Sequence, residues 1–152
     1  MRQRRVHVCE PVNHSREKCR DSSGTVPVHA GGQHLRVTLG GSIQLDSTSG
    51  RINGYLPNID ATMETVAAFA GAMSIGVVLT GMGNDGAQGA KAIKSAGGMV
   101  VAQDEATSVI FGMPAEAIKV AAVDQILGID DIYAAIEKRV IGICKASPVG
   151  VK

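Results

Sequence analysis

The sequence predicts an α/β fold: a doubly wound, mostly parallel sheet with helices on both faces and an antiparallel hairpin near the N-terminus. Three observations carry this. After residue 60, short runs of Val, Ile and Met alternate with stretches whose apolar residues recur at helical spacing, the pattern of strands joined by right-handed crossovers. Before residue 60, two short apolar runs flank Gly40-Gly41, a hairpin turn signal. Aromatic residues are 3% of the chain and Trp is absent. The core is therefore built from Ala, Val, Ile, Leu and Met, which suits helices packed on a parallel sheet.

The elements follow in order. Arg5-Val6-His7-Val8 reads as a short strand, residues 13–24 as a polar loop, and Val26-Pro27-Val28 as a second strand. Residues 35–39 and 42–45 form the hairpin arms. Met63, Val66, Ala67 and Ala70 share a helical face that Gly71 ends. Residues 75–80 read as a strand. Ala87, Ala90, Ile93 and Ala96 make the apolar stripe of the next helix, Lys91 and Lys94 face water, and Gly97-Gly98 stops it. Residues 99–102 are a strand, and Pro114 opens a short helix running to Ala121. Residues 123–127 are the last strand. Ile129, Ile132, Tyr133, Ile136, Val140 and Ile143 mark a final helix, with Asp130 and Asp131 favourably placed near its N-terminus.

Composition narrows the class. The 152 residues, 45% of them hydrophobic, suffice for a single domain spanning 1–152 with a real core. A net charge of +1 argues against bulk nucleic-acid binding. The charge is uneven: residues 1–57 hold eight basic and four acidic side chains, and residues 58–152 hold seven and ten. Arg2, Arg4 and Arg5 lack the apolar run of a secretory signal and read as a solvated end. No stretch reaches the roughly 18–20 apolar residues of a membrane span, so no membrane insertion is expected. Cys9, Cys19 and Cys144 show no metal-ligand spacing. They read as free thiols in a reducing cytosol, giving a cytoplasmic expectation with no metal and no cofactor.

The segment with the most chemistry is Ile75-Gly76-Val77-Val78-Leu79-Thr80-Gly81-Met82-Gly83-Asn84-Asp85-Gly86. It reads as a strand, a glycine-dense turn and a helix start, and such turns lie where α/β proteins bind and react. Gly81-x-Gly83-x-x-Gly86 matches the dinucleotide-binding fingerprint, with Asp104 or Glu105 as the ribose carboxylate 18–19 residues on. Asp85 counts against that reading, because a carboxylate in the phosphate loop would face the pyrophosphate. Asp85 also has a local reading as the N-cap of the helix after Gly86.

A second reading comes from likeness to a family. Leu79-Thr80-Gly81-Met82-Gly83-Asn84-Asp85-Gly86-Ala87-x-Gly89 resembles the aspartate loop of the chemotaxis protein-glutamate methylesterase (CheB) family. The likeness continues through Ala102-Gln103-Asp104-Glu105 and Val109-Ile110-Phe111-Gly112-Met113-Pro114-x-x-Ala117-Ile118. More loosely, Gly31-Gly32-Gln33-His34-Leu35 resembles the family's hairpin, and Pro57-Asn58-Ile59-Asp60 the opening of its next helix. About residues 5–143 are covered.

The resemblance implies hydrolysis of glutamate methyl esters, and deamidation of glutamines, on methyl-accepting chemoreceptors in chemotaxis signal transduction. A Ser nucleophile, a His base and an orienting Asp would do it. The Asp corresponds to Asp85, and a loop Met whose backbone helps with the oxyanion corresponds to Met82. The family's Ser sits in a G-x-S-x-G-G turn and its His in a His-Met-Pro context, and neither segment occurs here. This chain thus reads as a partial, truncated methylesterase domain with no receiver domain of its own; a separate receiver domain is a candidate partner. Substitutes are lacking. Gln33-His34-Leu35 leads into a hairpin, so His34 reads as structural or exposed. Ser22-Ser23-Gly24 lacks a preceding strand, and His7, His14 and His29 show no spacing. Thr107 and Ser108 read as packing, and Asp104 and Glu105 as loop caps. The alternative of the same lineage is a catalytically dead binding module.

Overall fold

In a computed structural model of the chain, the structure describes residues 6–9, 26–29, 31–120 and 122–146. Arg2, Arg4, Arg5, His14, Cys19, Ser22 and Ser23 lie outside these residues, as do the side chains of His7, Cys9 and His29. Strands β1 (Val6–Cys9) and β2 (Val26–His29) pair in parallel, Val6 opposite Val26. Strands β3 (His34–Val37) and β4 (Ile43–Asp46) form the expected antiparallel hairpin, His34 opposite Asp46. Arg36 and Asp46 form an ion pair across it at 3.2 Å. The Ser49 and Thr48 hydroxyls, the Thr48 N–H and Arg36 all donate to Asp46 and hold its carboxyl well below the usual carboxylate range.

Helix α1 (Ile59–Ala70) follows a linker, and the three-stranded parallel sheet comes next. Its strands are β5 (Ile75–Val78), β6 (Met99–Gln103) and β7 (Gln125–Leu127), in that order. Helix α2 (Ala87–Ser95) carries β5 to β6, and α3 (Met113–Lys119) carries β6 to β7. Helix α4 (Ile129–Ala146) closes the described chain. The sequence period thus marked the helices and strands of this half, though β5, β7 and α3 are shorter than expected and a 3-10 turn at Gly71–Met73, after α1, was not expected.

Strand β6 is the centre of the core. Val100, Val101 and Ala102 are each 0% exposed. Successive strand residues point to opposite faces, so both faces of β6 are covered. Helices α2 and α3 pack on β5 and β6 and on each other, and α4 also packs on β6. Ala90 and Ile93 of α2, Ala117 of α3 and Ala67 of α1 fill the space between. Small residues are needed where α1 meets α2. A Cβ at Gly89 would stand 3.1 Å from the Asp60 Cα and 2.5 Å from the Met63 Cβ, inside contact distance.

Lys94 faces water as expected, and its ammonium also pairs with Asp124, whose other oxygen accepts the buried Val100 N–H at 2.9 Å. The apolar stripe of α4 is only partly buried. Ile132 is 6% exposed, whereas Tyr133 is 67% and Ile129, Val140 and Ile141 are also exposed. Ile132 and Arg139, whose guanidinium donates to the Ala72 carbonyl at 2.8 Å, mark the inner side.

Burial pushes the Asp124 carboxyl up, but Lys94 and the Val100 N–H outweigh it and hold the group below its usual range. A carboxylate lowered in the native state stabilises the fold above its unfolded value, about pH 4, and that stability is lost as pH falls through the native value. Asp124→Asn should therefore be less stable than the parent at neutral pH and show a shallower loss into acid. Urea unfolding from about pH 7 to pH 2 measures both.

Candidate active site

Two loops at the C-terminal end of the sheet are locked together before any functional group is considered. Gln103, 2% exposed at the end of β6, accepts the Thr80 N–H at 2.9 Å and donates to the Thr107 carbonyl at 2.8 Å. The Thr80 hydroxyl accepts the Ile110 N–H at 2.9 Å, and the Gly81 N–H donates to the Ile110 carbonyl at 3.0 Å. The Gly81 carbonyl then accepts from Met113 at 2.8 Å. Asp104 ties its own turn, accepting from the Thr107 hydroxyl at 2.6 Å and N–H at 2.9 Å. Those bonds hold its carboxyl below the ordinary range. Thr107 and Asp104 therefore serve the loop.

Gly86, at φ +94°, turns the chain from this loop into α2 in a conformation that side chains resist. Asp85, just before it, is 5% exposed. Its carboxylate does not cap α2. It reaches back to the N-terminus of α1 instead. Oδ1 accepts from Asn58 Nδ2 at 2.8 Å and from the Ile59 and Asp60 N–H groups, each at 3.0 Å. Oδ2 accepts the Ile59 N–H at 2.8 Å. The N-terminal amides of a helix lack internal partners and carry partial positive charge, so they suit a buried carboxylate.

Helix α1 returns the favour. Asp60, 7% exposed, accepts the Gly89 N–H of α2 at 2.7 Å. No side chain on α2's own N-terminal residue caps it. Amides at the start of α1 are thus met by a carboxylate from the turn before α2, and one at the start of α2 by a carboxylate of α1. Asn58 completes the α1 start, accepting the Ala61 N–H at 2.8 Å. Its own N–H donates to His34 Nδ1 at 3.1 Å, and His34 Nε2 bonds the Gly50 carbonyl at 2.6 Å. His34 is 0% exposed with both ring nitrogens engaged. It is structural, one of the two readings of its sequence context, and has no nitrogen free to act as a base.

Met82 stands 80% exposed on the rim, and among the described residues nothing accepts from its N–H. The Tyr55 ring overlies the turn at Gly83, where a Cβ would strike its hydroxyl. Among the described residues, no Ser–His pair joins Asp85, and no group of three or more His, Cys, Asp and Glu stands together to hold a metal ion. No helix among them is long and apolar enough to cross a membrane. The dinucleotide reading does not survive this geometry. The α2 amide at Gly89 is already taken by a buried carboxylate, and a second carboxylate occupies the turn.

Local rules could have found Asn58, an N-cap residue three before Ala61. They could not pair Asp85 with Ile59 or Asp60 with Gly89, contacts across 25 to 29 residues of chain.

Fold and site define a parallel α/β domain with a buried carboxylate set at the C-terminal edge of its sheet. The family model for CheB methylesterase matches residues 3–136. A protein-glutamate methylesterase/protein-glutamine glutaminase of Pseudomonas savastanoi pv. phaseolicola is 41% identical over 130 residues, 84% of this chain and 36% of that protein. The counterpart from Moorella thermoacetica is 46% identical over 115 residues, 74% of this chain and 27% of that protein. The crystal structure of the Thermotoga maritima CheB methylesterase catalytic domain matches with a TM-score of 0.70 and 34% identity, over 84% of this chain and 66% of that one. The chain belongs to the CheB methylesterase family. It spans about a third of the length of the curated relatives it matches.

Two outcomes follow from this geometry. Asp85→Ala leaves Asn58 Nδ2 and two helix amides without their acceptor and should cost about 2–4 kcal/mol in thermal or urea unfolding. Calorimetry with NAD should show no binding at micromolar to millimolar ligand; saturable heat weakened by Gly83→Val would contradict the assignment of the turn.

Proposed function

We propose that this chain supplies the aspartate and the oxyanion loop of a protein-glutamate methylesterase. Asp85 is read as the group that orients the catalytic His, and Met82 as the residue whose backbone N–H meets the developing oxyanion. The observation that carries this reading is the way Asp85 is held. Every hydrogen bond to its carboxylate comes from one side chain and two amides at the α1 N-terminus. Among the described residues Oδ2 accepts only the Ile59 N–H, so it retains a lone pair for an imidazole N–H. A fixed carboxylate that accepts from a His ring holds the productive tautomer and stabilises the imidazolium that forms. The Met82 N–H lies on the same turn, without a competing acceptor among the described residues. An oxyanion donor of this kind contributes typically about 3 kcal/mol.

The reaction is ester hydrolysis by acyl transfer. A Ser oxygen attacks the glutamyl carbonyl, methanol leaves with the proton passed by His, and water then releases the carboxylate. Glutamine deamidation is the same sequence with ammonia leaving. The substrate is a chemoreceptor and the compartment the cytoplasm. A receiver domain is the regulatory partner this reading suggests. This chemistry needs a Ser and a His beside Asp85, and the described residues place neither there. Loss of the nucleophile costs a triad enzyme on the order of 10⁶ in rate, so this chain by itself should show no measurable esterase activity.

Joining to its N-terminus the Ser- and His-bearing segment of a related methylesterase should give a chimera that hydrolyses methylated receptor. In that chimera Asp85→Asn should lower turnover by orders of magnitude, and Asp104→Asn should leave it nearly unchanged. A folded, active chimera indifferent to Asp85→Asn would overturn the assignment. The second reading, a binding module without catalysis, predicts receptor binding by the chain and an inactive chimera.

A further inference from the structure

We infer that Asp60 is a positioning residue for Asp85, an inference that rests on the proposed role of Asp85. Asp60 sits at both ends of one closed loop of bonds. Its N–H donates to Asp85 Oδ1 at 3.0 Å, and its carboxylate accepts the Gly89 N–H at 2.7 Å. Gly89 is four residues beyond Asp85, on the first turn of α2. The five-residue span from Asp85 to Gly89 is therefore clamped at its two ends by the backbone and side chain of a single residue.

Ala87, Ala90 and Ile93 anchor α2 in the core, and the hydrogen bonds at its start are fewer. The α2 N-terminus has no cap from its own Gly86. Its turn has an N–H of Ala87 on the Asn84 carbonyl at 3.2 Å, a long bond that leaves the helix direction to other contacts. Packing of Gly89 on α1 fixes the separation of the helices but not a slide of one along the other. The Asp60–Gly89 bond opposes that slide, because a 2.7 Å charge-assisted bond has little tolerance for displacement. Asp85 leads directly into α2, so a slide would carry its carboxylate away from the Ile59 and Asp60 amides. A displacement of about 1 Å at a reacting constellation is enough to cost on the order of 10²-fold in rate.

The test uses substitutions that separate the accepting oxygen from the charge. Asp60→Asn keeps an oxygen for the Gly89 N–H. Asp60→Ala removes it. Asp60→Glu keeps a carboxylate but moves it by one methylene. Two readouts are taken: amide proton shifts in the unmodified chain, and kcat and KM in the active chimera. Asp60→Ala and Asp60→Glu should shift the Ile59 amide towards its position in Asp85→Asn, whereas Asp60→Asn should not. In the chimera, the Ala and Glu variants should lose about 100-fold in kcat with KM little changed, and Asn should restore most of it. If Asp60→Ala fails to fold, the Glu variant carries the same comparison. A lowered melting temperature with the Ile59 amide and kcat unmoved would reduce Asp60 to a structural cap and overturn the inference. A chimera dead even without substitution counts against the reading of Asp85 alone, and the amide shifts then decide the position of Asp60 independently.

Discussion

The arrangement depends on burying a carboxylate without stranding its charge. Asp85 is nearly inaccessible, and an uncompensated ion at such depth would cost several kcal/mol. The compensation comes from the N-terminus of α1, whose first amides have no partners within their own helix. Two deficits cancel: a helix start short of acceptors and a carboxylate short of donors. Asp60 and Gly89 repeat the exchange in the opposite direction. The two helices are therefore fixed to each other by electrostatics at their ends and by close packing of Gly89 on Met63 between them.

The two oxygens of Asp85 are unequally used. Here one oxygen takes nearly all the donors and the other takes one shared amide. The neighbouring loop is rigid for a different reason, because Gln103 and Thr80 stitch it to residues 107–110 from beneath. Exposed apolar side chains at Met82 and Val109 stand on those rigid loops.

Periodicity made the C-terminal half legible. Val100, Val101 and Ala102 read as a buried strand and are one, and Ala90 and Ile93 lie on the buried face that their spacing marks. The hairpin was legible from Gly40-Gly41. What local pattern could not show was which helix Asp85 serves. An Asp before a glycine and a helix reads as that helix's cap, yet the carboxylate crosses to α1 because Gly86, at positive φ, turns α2 away from it. Asp60 stands as an acidic residue in a first turn, and nothing in its sequence neighbourhood announces Gly89. Lys94 and Asp124 were hidden for the same reason. The outward side of α4 shows the converse failure: an apolar stripe marks capacity to pack, and the described fold uses only the Ile132 side of it.

The burial of β6 has a consequence for how the molecule opens. Its amides should exchange with solvent only when the whole sheet comes apart, because both of its faces are covered. Helix α1 is different: it packs on the small hairpin on one side and on α2 on the other, with only Asp60, Ala61 and Ala67 fully buried. A local opening that lifts α1 would withdraw together the donors that the described residues give Asp85. Asp85 therefore sits on the seam between the sheet and α1, and its setting depends on both.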